Sequence, residues 1–321
     1  MSINEAKAAA LGEWPSDGLE YVNVCPICQD RERSVLYEEM EDTLFFCAPG
    51  KWTLYECTSC GTAYLDPRPT PETIGSAYSS YYTHGDRQPT VLPRATTIRK
   101  SLSAILKNSY LHSRYGVSLS ENPKLPKWLF RTLYFGLPIR STFDRFVRHL
   151  QPGDKDSKVL DVGCGNGYFL QIAKLIGRHV TGIDVDSAAV ENAKKLGVDA
   201  FEGSLYRMPF ENDSFDVVTM NHVIEHLHDP LAALGEIRRI LKPGGMLWIG
   251  TPNLNSAAHS DAGSKWIGLD PPRHLVLFNH DSLMLAFKRA GFPDPVRRGV
   301  AWTDRGDWEL VVTAQKPANS C

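Results

Sequence analysis

Several common features are missing from this sequence of 321 residues. No apolar run approaches the roughly 18 residues of a transmembrane helix. The stretch MSINEAKAAALGEW has neither the basic start nor the apolar core of a secretory signal. The formal net charge is −2, which argues against a protein that binds polyanions through its overall charge. We therefore expect a cytoplasmic globular protein of about two domains.

Four of the seven cysteines form two C-x-x-C pairs. Cys25 and Cys28 lie in VCPICQD, and Cys57 and Cys60 lie in YECTSCGTAYL. Two such pairs can surround one ion with four thiolates, and a closed four-cysteine site leaves no open coordination position. The βαβ context of a redox C-x-x-C is absent from the surrounding sequence. The pattern therefore predicts one structural zinc ion.

The segment from Arg94 to Arg148 is strongly basic, with eleven lysines and arginines against two acidic residues. Aromatic residues are interleaved with these charges, and the pattern predicts two helices broken near GVSLSENPKLP. A solvated basic face is one interpretation. The alternatives are contact with an anionic substrate such as a nucleotide-sugar diphosphate, with an anionic membrane surface carrying a lipid-linked acceptor, or with RNA.

The stretch KVLDVGCGNGYF predicts a buried strand, a glycine loop and a helix, and strand and helix patterns alternate after it. This alternation predicts a doubly wound, mainly parallel sheet with its ligand beyond the carboxyl ends of the strands. The dinucleotide fingerprint would place its third glycine at Tyr168, whereas the glycines are Gly163, Gly165 and Gly167. A P-loop would need a lysine followed by Ser or Thr, and this loop has no basic residue. The loop therefore indicates a ligand without phosphate groups.

Two carboxylates accompany the loop. Asp161 stands directly before it and suits a ligand with a positive amino group and a sulfonium. Asp184 ends the second strand, 21 residues after Gly163, where doubly wound sheets place a carboxylate that accepts ribose hydroxyls. Together they favour an adenosine-containing cation.

The segments LDVGCGNGYF, VTGIDVD, FDVVTMNHVIEHLHDP and LKPGGMLWIGTPN resemble the successive motifs of class I S-adenosylmethionine-dependent methyltransferases. The resemblance covers about half of the chain, from Lys158 to Pro317, and implies a Rossmann-like domain that binds S-adenosyl-L-methionine. Ser204 stands where the family often has an Asp for the adenine amino group. The cofactor contacts that the resemblance implies are Asp161, Gly163, Cys164, Gly165, Asp184, Val185, Ser204, Leu205 and Asn221.

The first half of the chain resembles a subgroup of these enzymes found with glycan and polysaccharide biosynthesis. The shared features are the paired zinc knuckles, the PRPTPE segment, a Tyr pair and the later stretch GLDPPRHLVLF. The resemblance implies methyl transfer to a hydroxyl or carbon of a sugar, nucleotide-sugar or glycan precursor. The expected organisation is a zinc-ribbon-like module with a Tyr-rich helix over 1–83, a basic helical bridge over 84–152 and the methyltransferase domain over 153–321. The domain would carry a substrate-loop insertion around 251–280.

Such an acceptor needs a base, and the segment NHVIEHLHDP follows the fourth strand of the predicted sheet. We expect Glu225 and His226 to fill this role, because the family places its Glu-His there, with an imidazole pKa near about 6.5. Tyr82 is a candidate phenol facing the substrate. In the insertion, His274 is a candidate second base and Arg273 a candidate diphosphate contact. Ion pairing within the loop is the alternative for both.

Two other functions stay open. An RNA methyltransferase could grip nucleic acid with the zinc module and the basic bridge, although the overall charge and the acidic stretch QDRERSVLYEEMED argue against it. A methyltransferase of another small metabolite would use the same cofactor site. The intact glycines and Asp184 argue against a scaffold without activity.

Overall fold

The computed structural model describes residues 12–78, 98–119, 124–136, 140–207, 209–298 and 308–318. Within these ranges the chain forms an N-terminal module of short strands, a group of three helices and an α/β domain on a seven-stranded sheet. No helix in the described ranges is both long enough and apolar enough to cross a membrane.

The N-terminal module is made of five short strands. They are β1 (Leu19–Glu20), β2 (Arg33–Met40), β3 (Trp52–Cys57), β4 (Ala63–Leu65) and β5 (Arg68–Pro69). Strands β2, β3 and β4 form an antiparallel sheet, and β1 pairs with β5. The indoles of Trp14 and Trp52 meet edge to face with their ring centroids 5.6 Å apart. This aromatic contact supplies core to a module too small to bury much apolar surface.

The Tyr-rich helix predicted for the end of the module does not form over residues 71–78. A turn covers 71–73, and only a short 3₁₀ helix follows, Ile74–Tyr78. The Thr70 carbonyl accepts the amides of both Thr73 and Ile74, so the chain tightens at once into i→i+3 bonding. Gly75 within this turn lowers the propensity to continue as an α-helix. The prediction of a longer helix here was wrong.

Three helices lie between the module and the α/β domain along the chain, one more than the two predicted for the basic segment. They are α1 (Ile98–Tyr115), α2 (Lys127–Gly136) and α3 (Arg140–Phe146). The phenols of Tyr110 and Tyr134 each donate a 2.8 Å hydrogen bond to the Asp144 carboxylate. The Lys107 ammonium lies 4.8 Å from the ring centroid of Phe146, so at least one charge of the basic segment contacts the protein itself.

The α/β domain is organised by a mostly parallel sheet, which confirms the predicted fold class. Strands β6, β7, β8, β9 and β10 run parallel, and β12 and β13 pair antiparallel beyond β10, in the order β12–β13–β10–β9–β6–β7–β8. Their bounds are β6 Lys158–Val162, β7 His179–Asp184, β8 Asp199–Glu202, β9 Phe215–Asn221, β10 Leu241–Pro252, β12 Val296–Arg297 and β13 Glu309–Gln315. The first strand, β6, lies inside the sheet, so the carboxyl ends of β6, β7 and β9 meet at one edge.

Helices cover the sheet on both faces. They are α4 (Tyr168–Leu175), α5 (Ser187–Lys195), α6 (Pro230–Ile240) and α8 (His280–Arg289), whereas α7 (Ala257–Ala262) lies in the insertion after β10 and has no buried residue. Val159 belongs to the apolar cluster under α4 and α5, and its neighbour Leu160 belongs to the cluster under α6 and α8. This alternation follows the two-residue period of a strand. The N-cap of α5 is Asp186, whose carboxylate accepts the Ala188 amide.

The insertion after β10 returns to the N-terminal module. Its strand β11 (Val276–Leu277) pairs antiparallel with β4, so the module's sheet has the order β11–β4–β3–β2. The Asn279 amide donates to the Gly61 carbonyl, one residue after Cys60. The module and the substrate-loop insertion therefore share one sheet. The sequence alone places these two segments in separate domains.

Candidate active site

The glycine loop joins the end of β6 to α4 with a left-handed backbone. The φ angles are +69° at Gly163, +52° at Gly165 and +77° at Gly167. A Cβ at Gly163 would overlap Val223, and a Cβ at Gly167 would come 2.9 Å from the Cβ of Ala193. A Cβ at Gly165 would meet nothing within 4 Å. The loop is thus closed against the protein at its two ends and open at its middle, where a ligand can approach the backbone.

Asp184 ends β7 beside this opening. Its Oδ2 accepts the Gly165 amide at 2.8 Å, and its Oδ1 accepts the Asp186 amide at 3.0 Å. Burial raises the pKa of Asp184, and these two amide donors oppose that shift. The carboxylate is therefore oriented by the backbone, with lone pairs left over for vicinal hydroxyls.

Asp161 has a different setting from the one expected from the sequence. It is buried, and one carboxylate oxygen, Oδ1, is bonded by the Arg148 guanidinium and by the Thr219 hydroxyl. Burial raises the pKa of Asp161, and Arg148 opposes that shift. Its other oxygen, Oδ2, has no partner among the described residues. Arg148 thus provides the first counter-charge, and a ligand ammonium can meet only the second oxygen.

The remaining predicted cofactor positions lie in the glycine loop and at or after the carboxyl ends of β7, β8 and β9. Val185 follows Asp184 and is 76% exposed, which is unusual for valine and suits an apolar face that a ligand covers. Leu205 is buried and Ser204 is partly buried in the segment after β8, and Asn221 ends β9. Burial raises the pKa of the Cys164 thiol, so this cysteine lies in the loop as an unreactive thiol.

These residues fit S-adenosylmethionine on structural grounds. The open middle of the loop, at Gly165, lies next to the oriented carboxylate of Asp184. The carboxylate of Asp161 keeps one oxygen, Oδ2, without a partner among the described residues. The loop itself carries no lysine or arginine that would favour phosphates. The two carboxylates are hydrogen-bond acceptors that suit ribose hydroxyls and an ammonium group.

Glu225 lies in a short 3₁₀ helix just after β9 and is completely buried. Its Oε2 accepts the Thr251 hydroxyl at 2.9 Å, and its Oε1 lies 3.2 Å from Nδ1 of His222. Burial alone would raise the pKa of Glu225, but the contact with His222 outweighs burial and brings it to about 2. Glu225 is therefore ionised and joins the ends of β9 and β10.

His226 follows it and is held in one tautomer. Its Nδ1 lies 2.9 Å from the Arg273 carbonyl oxygen and 3.0 Å from the Tyr78 hydroxyl. Because a carbonyl can only accept, Nδ1 carries the proton and Nε2 carries the lone pair. Burial, with a contribution from His274, lowers the pKa of His226 to about 4. The imidazole is thus neutral at pH 7, with an unprotonated Nε2 that can accept a proton.

His274 lies against His226, and their ring centroids are 4.7 Å apart in an edge-to-face arrangement. Its Nδ1 donates to the Gly268 carbonyl at 2.7 Å, which leaves its Nε2 with the lone pair as well. The structure thus brings together Glu225, His226 and His274. One carboxylate oxygen of Glu225 and one ring nitrogen of each histidine all lie within 4.8 Å of one another.

Arg273 does not face a ligand. It is fully buried, and its guanidinium forms a two-point ion pair with Asp42 of the N-terminal module and a second ion pair with Asp270. A further bond goes to the Ala77 carbonyl at 2.9 Å. The expectation of a diphosphate contact is therefore wrong, because every side of this guanidinium is already engaged inside the protein.

Other residues contribute that sequence reasoning ranked lower or missed. Tyr82 lies outside the described residues, whereas Tyr78 from the same Tyr-rich segment contacts His226. His222 stacks on Trp308 with an interplanar angle of 11°, and its Nε2 lies 3.4 Å from Glu309. His222 thus lies between two fully buried carboxylates, Glu225 and Glu309. No local motif marks Trp308 or Glu309, since they reach the site through the antiparallel strand β13.

The four predicted metal ligands converge. The Sγ atoms of Cys25 and Cys60 are 3.6 Å apart, those of Cys28 and Cys57 are 3.4 Å apart, and all four lie within 4.8 Å of one another. A tetrahedral site with Zn–S bonds of about 2.3 Å has edges of about 3.8 Å. The cluster therefore has the ligand number and spacing that zinc requires.

Comparison with known proteins places the α/β domain. Residues 137–294 match the methyltransferase-domain family. A Mycolicibacterium smegmatis protein named as a probable S-adenosylmethionine-dependent methyltransferase is 40% identical over 97 residues, which cover 30% of this chain and 38% of the relative. A ubiquinone biosynthesis O-methyltransferase of Xanthomonas oryzae pv. oryzae is 36% identical over 126 residues, which cover 36% of this chain and 53% of the relative. The chain thus spans about half or less of these curated relatives.

Among solved structures, an S-adenosylmethionine-dependent methyltransferase from Mesorhizobium loti aligns with a TM-score of 0.44 and 17% identity, covering 55% of this chain and 97% of that one. The sequence match to the family covers the glycine loop, Asp184 and the Glu225–His226 segment. With the observed sheet order, it identifies the α/β domain as a Rossmann-like methyltransferase domain.

Proposed function

We propose that this chain transfers a methyl group from S-adenosylmethionine to a hydroxyl or carbon of a sugar, nucleotide-sugar or glycan precursor. The observation that carries the proposal is the juxtaposition of two sites at one edge of the sheet. The open glycine loop with Asp184 follows β6 and β7, and the Glu225–His226 pair follows the adjacent strand β9. Bound S-adenosylmethionine supplies a methyl group already activated by its sulfonium.

The cofactor-binding residues are those around the opening of the loop. Asp184 accepts the ribose hydroxyls, and the backbone at Gly163 and Gly165 lies against the ligand. Oδ2 of Asp161 is the acceptor for the amino group. Val185, Ser204 and Leu205 border the adenine, with the exposed Val185 covering one of its faces. Cys164 and Asn221 are the remaining proposed contacts of the cofactor.

His226 is the proposed base. Its neutral form at pH 7 and its unprotonated Nε2 follow from the Arg273 carbonyl and from burial. A positioned base contributes roughly 10²–10⁴-fold to proton removal from the acceptor. Glu225 stays ionised beside His226 and positions the segment after β9. His274 supplies the second imidazole of the cluster, and the Tyr78 hydroxyl contacts Nδ1 of His226.

The acceptor class rests on the N-terminal module and on the insertion after β10. The paired knuckles of the module and the GLDPPRHLVLF stretch of the insertion resemble the glycan-biosynthesis subgroup, and this stretch carries both His274 and Arg273. The Xanthomonas relative bears the name of a ubiquinone biosynthesis O-methyltransferase, which favours an oxygen acceptor on another small metabolite as the second candidate.

We also propose that Cys25, Cys28, Cys57 and Cys60 bind one structural zinc ion. Four thiolates close the coordination sphere, so the ion stabilises the module and takes no part in methyl transfer. Its effect on the site is indirect. The second knuckle leads into β4, which pairs with β11, and β11 follows Arg273 and His274 directly.

The test of the function is formation of S-adenosylhomocysteine with a panel of acceptors. The panel contains nucleotide sugars, a lipid-linked sugar diphosphate, small phenols and total RNA, each with the wild-type protein and with Asp184→Ala as the blank. Turnover with a sugar acceptor supports the proposal. Turnover with a phenol alone or with RNA alone assigns another acceptor class, and no turnover with any acceptor contradicts methyl transfer to these classes.

A further inference from the structure

The outward face of α2 combines an exposed tryptophan with exposed cations. Trp128 is 70% exposed, and Lys127 and Arg131, at neighbouring helical positions, are exposed as well. The opposite side of the helix carries Phe130 and Tyr134, which are buried in the aromatic cluster. The core therefore takes one face of α2 and leaves a large indole in water on the other.

The charge on this face is of one sign. The sequence has no acidic residue in 98–119 or in 124–136. Lys124, directly before the helix, is exposed too, and none of Lys124, Lys127 and Arg131 has an ion-pair partner among the described residues. The pKa of His112 near the end of α1 is lowered by burial and then by the charges of Lys124 and Lys127.

The inward-facing cations of the same helices behave differently. Lys107 lies over the Phe146 ring, and Arg114 lies 5.8 Å from the Tyr134 ring centroid and 3.9 Å from Asp144. Those two charges are used within the fold. The cations around Trp128 have no such internal role, so this patch is available to a partner.

An indole surrounded by lysine and arginine is suited to one environment above others. Tryptophan prefers the boundary between headgroups and acyl chains, and each nearby cation is attracted to anionic headgroups. Single-stranded RNA also offers phosphates. Proteins that bind it, however, follow its backbone with a positively charged groove in which several aromatic side chains stack on successive bases. Here one ring stands on a convex helix face, which fits a flat surface better than a strand.

We propose that the outward face of α2, formed by Lys127, Trp128 and Arg131 with Lys124 beside it, docks on an anionic lipid bilayer. The indole enters the interfacial layer, and the cations contact the headgroups. The contact is peripheral and weakens at high salt. It is independent of methyl transfer, and it brings the chain to the surface at which a lipid-linked acceptor would lie.

The test is sedimentation of the full-length protein with vesicles of phosphatidylcholine alone or with one third phosphatidylglycerol. We expect binding to the anionic vesicles only. Replacing both Lys127 and Arg131 by Gln should lower the partition coefficient about 25-fold, at about fivefold for each charge. Trp128→Ser should lower it several-fold. These positions are exposed, so the variants keep the fold, and circular dichroism checks this.

The matched control is Lys194→Gln with Lys195→Gln, two exposed cations on α5. It removes the same charge from a helix of the α/β domain and should leave the partition within about twofold. Equal losses for the control and the α2 variants would reduce the effect to net charge and overturn the proposal. So would the absence of vesicle binding, or retention of total RNA with the same sensitivity to the α2 variants.

Discussion

The buried ion pair between Asp42 and Arg273 gives the sharpest prediction about stability. Arg273 donates to the two oxygens of Asp42 at 3.0 and 2.6 Å, and both side chains are almost fully buried. Asp42 also accepts backbone amides of its own loop, those of Phe45 and Cys47 at 3.0 Å among them. Asp42→Asn keeps the shape of the side chain but removes the charge that faces the guanidinium.

The expected cost is about 3–5 kcal/mol, the usual loss when one partner of a buried pair is removed. That is a large share of the 5–15 kcal/mol by which domains are commonly stable. Urea denaturation at pH 7 measures it. Glu39→Gln is the matched control, because Glu39 pairs with Lys51 on the exposed surface of the same module, and it should leave the midpoint nearly unchanged.

The pH dependence tests the cause. Burial would raise the pKa of Asp42, but Arg273 and the loop amides hold it well below its ordinary value of 3.8. A carboxyl with a lowered pKa contributes stability that is fully present above 3.8 and is lost as the pH falls below it. The difference between wild type and Asp42→Asn should therefore shrink below about pH 4. A cost under about 1 kcal/mol, or one that stays constant with pH, would refute the role of this charge pair.

Two further predictions concern the metal and the base. The purified protein should contain one zinc per chain, lost in Cys57→Ser and kept in Cys47→Ser, and a metal-free chain of full stability would disprove the zinc site. His226→Ala should leave cofactor binding intact and lower turnover by about two to four orders of magnitude. The control variant His280→Ala, at an exposed position, should change neither cofactor binding nor turnover. Because burial lowers the pKa of His226 to about 4, the acid limb of kcat/KM should lie near that value and be absent from His226→Ala. A limb near the ordinary imidazole value, or turnover within a few-fold of wild type, would show that His226 is not the base.

The cofactor side of the site was predictable because its determinants are local. The glycine loop, its strand and Asp184 lie within 27 residues, from Lys158 to Asp184, and the topology of a doubly wound sheet brings the strand ends together. The same holds for the two cysteine pairs, since each C-x-x-C turn positions its own two thiolates. In both cases the spacing along the chain already contains most of the geometry.

The acceptor side depends on contacts that no local pattern encodes. Arg273 and Asp42 are 231 positions apart, and their pairing arises only because β11 joins the sheet of the N-terminal module. The counter-charge of Asp161 comes from Arg148, which the sequence placed among the cations of the basic bridge. The expected pKa of about 6.5 for His226 was too high, because its burial follows from that same packing.

Binding of S-adenosylmethionine measured by titration calorimetry tests directly whether the glycine loop and Asp184 form the cofactor site. We expect one site per chain, with affinity lowered about 10²-fold or more in Asp184→Ala. The ribose hydroxyls then lose a charged acceptor, and hydrogen bonds to charged groups contribute about 1.5–3 kcal/mol each. Asp199→Asn, which changes an exposed carboxylate on the neighbouring strand β8, should bind like wild type. Absence of binding to the wild-type protein, or unchanged binding to Asp184→Ala, would contradict the account.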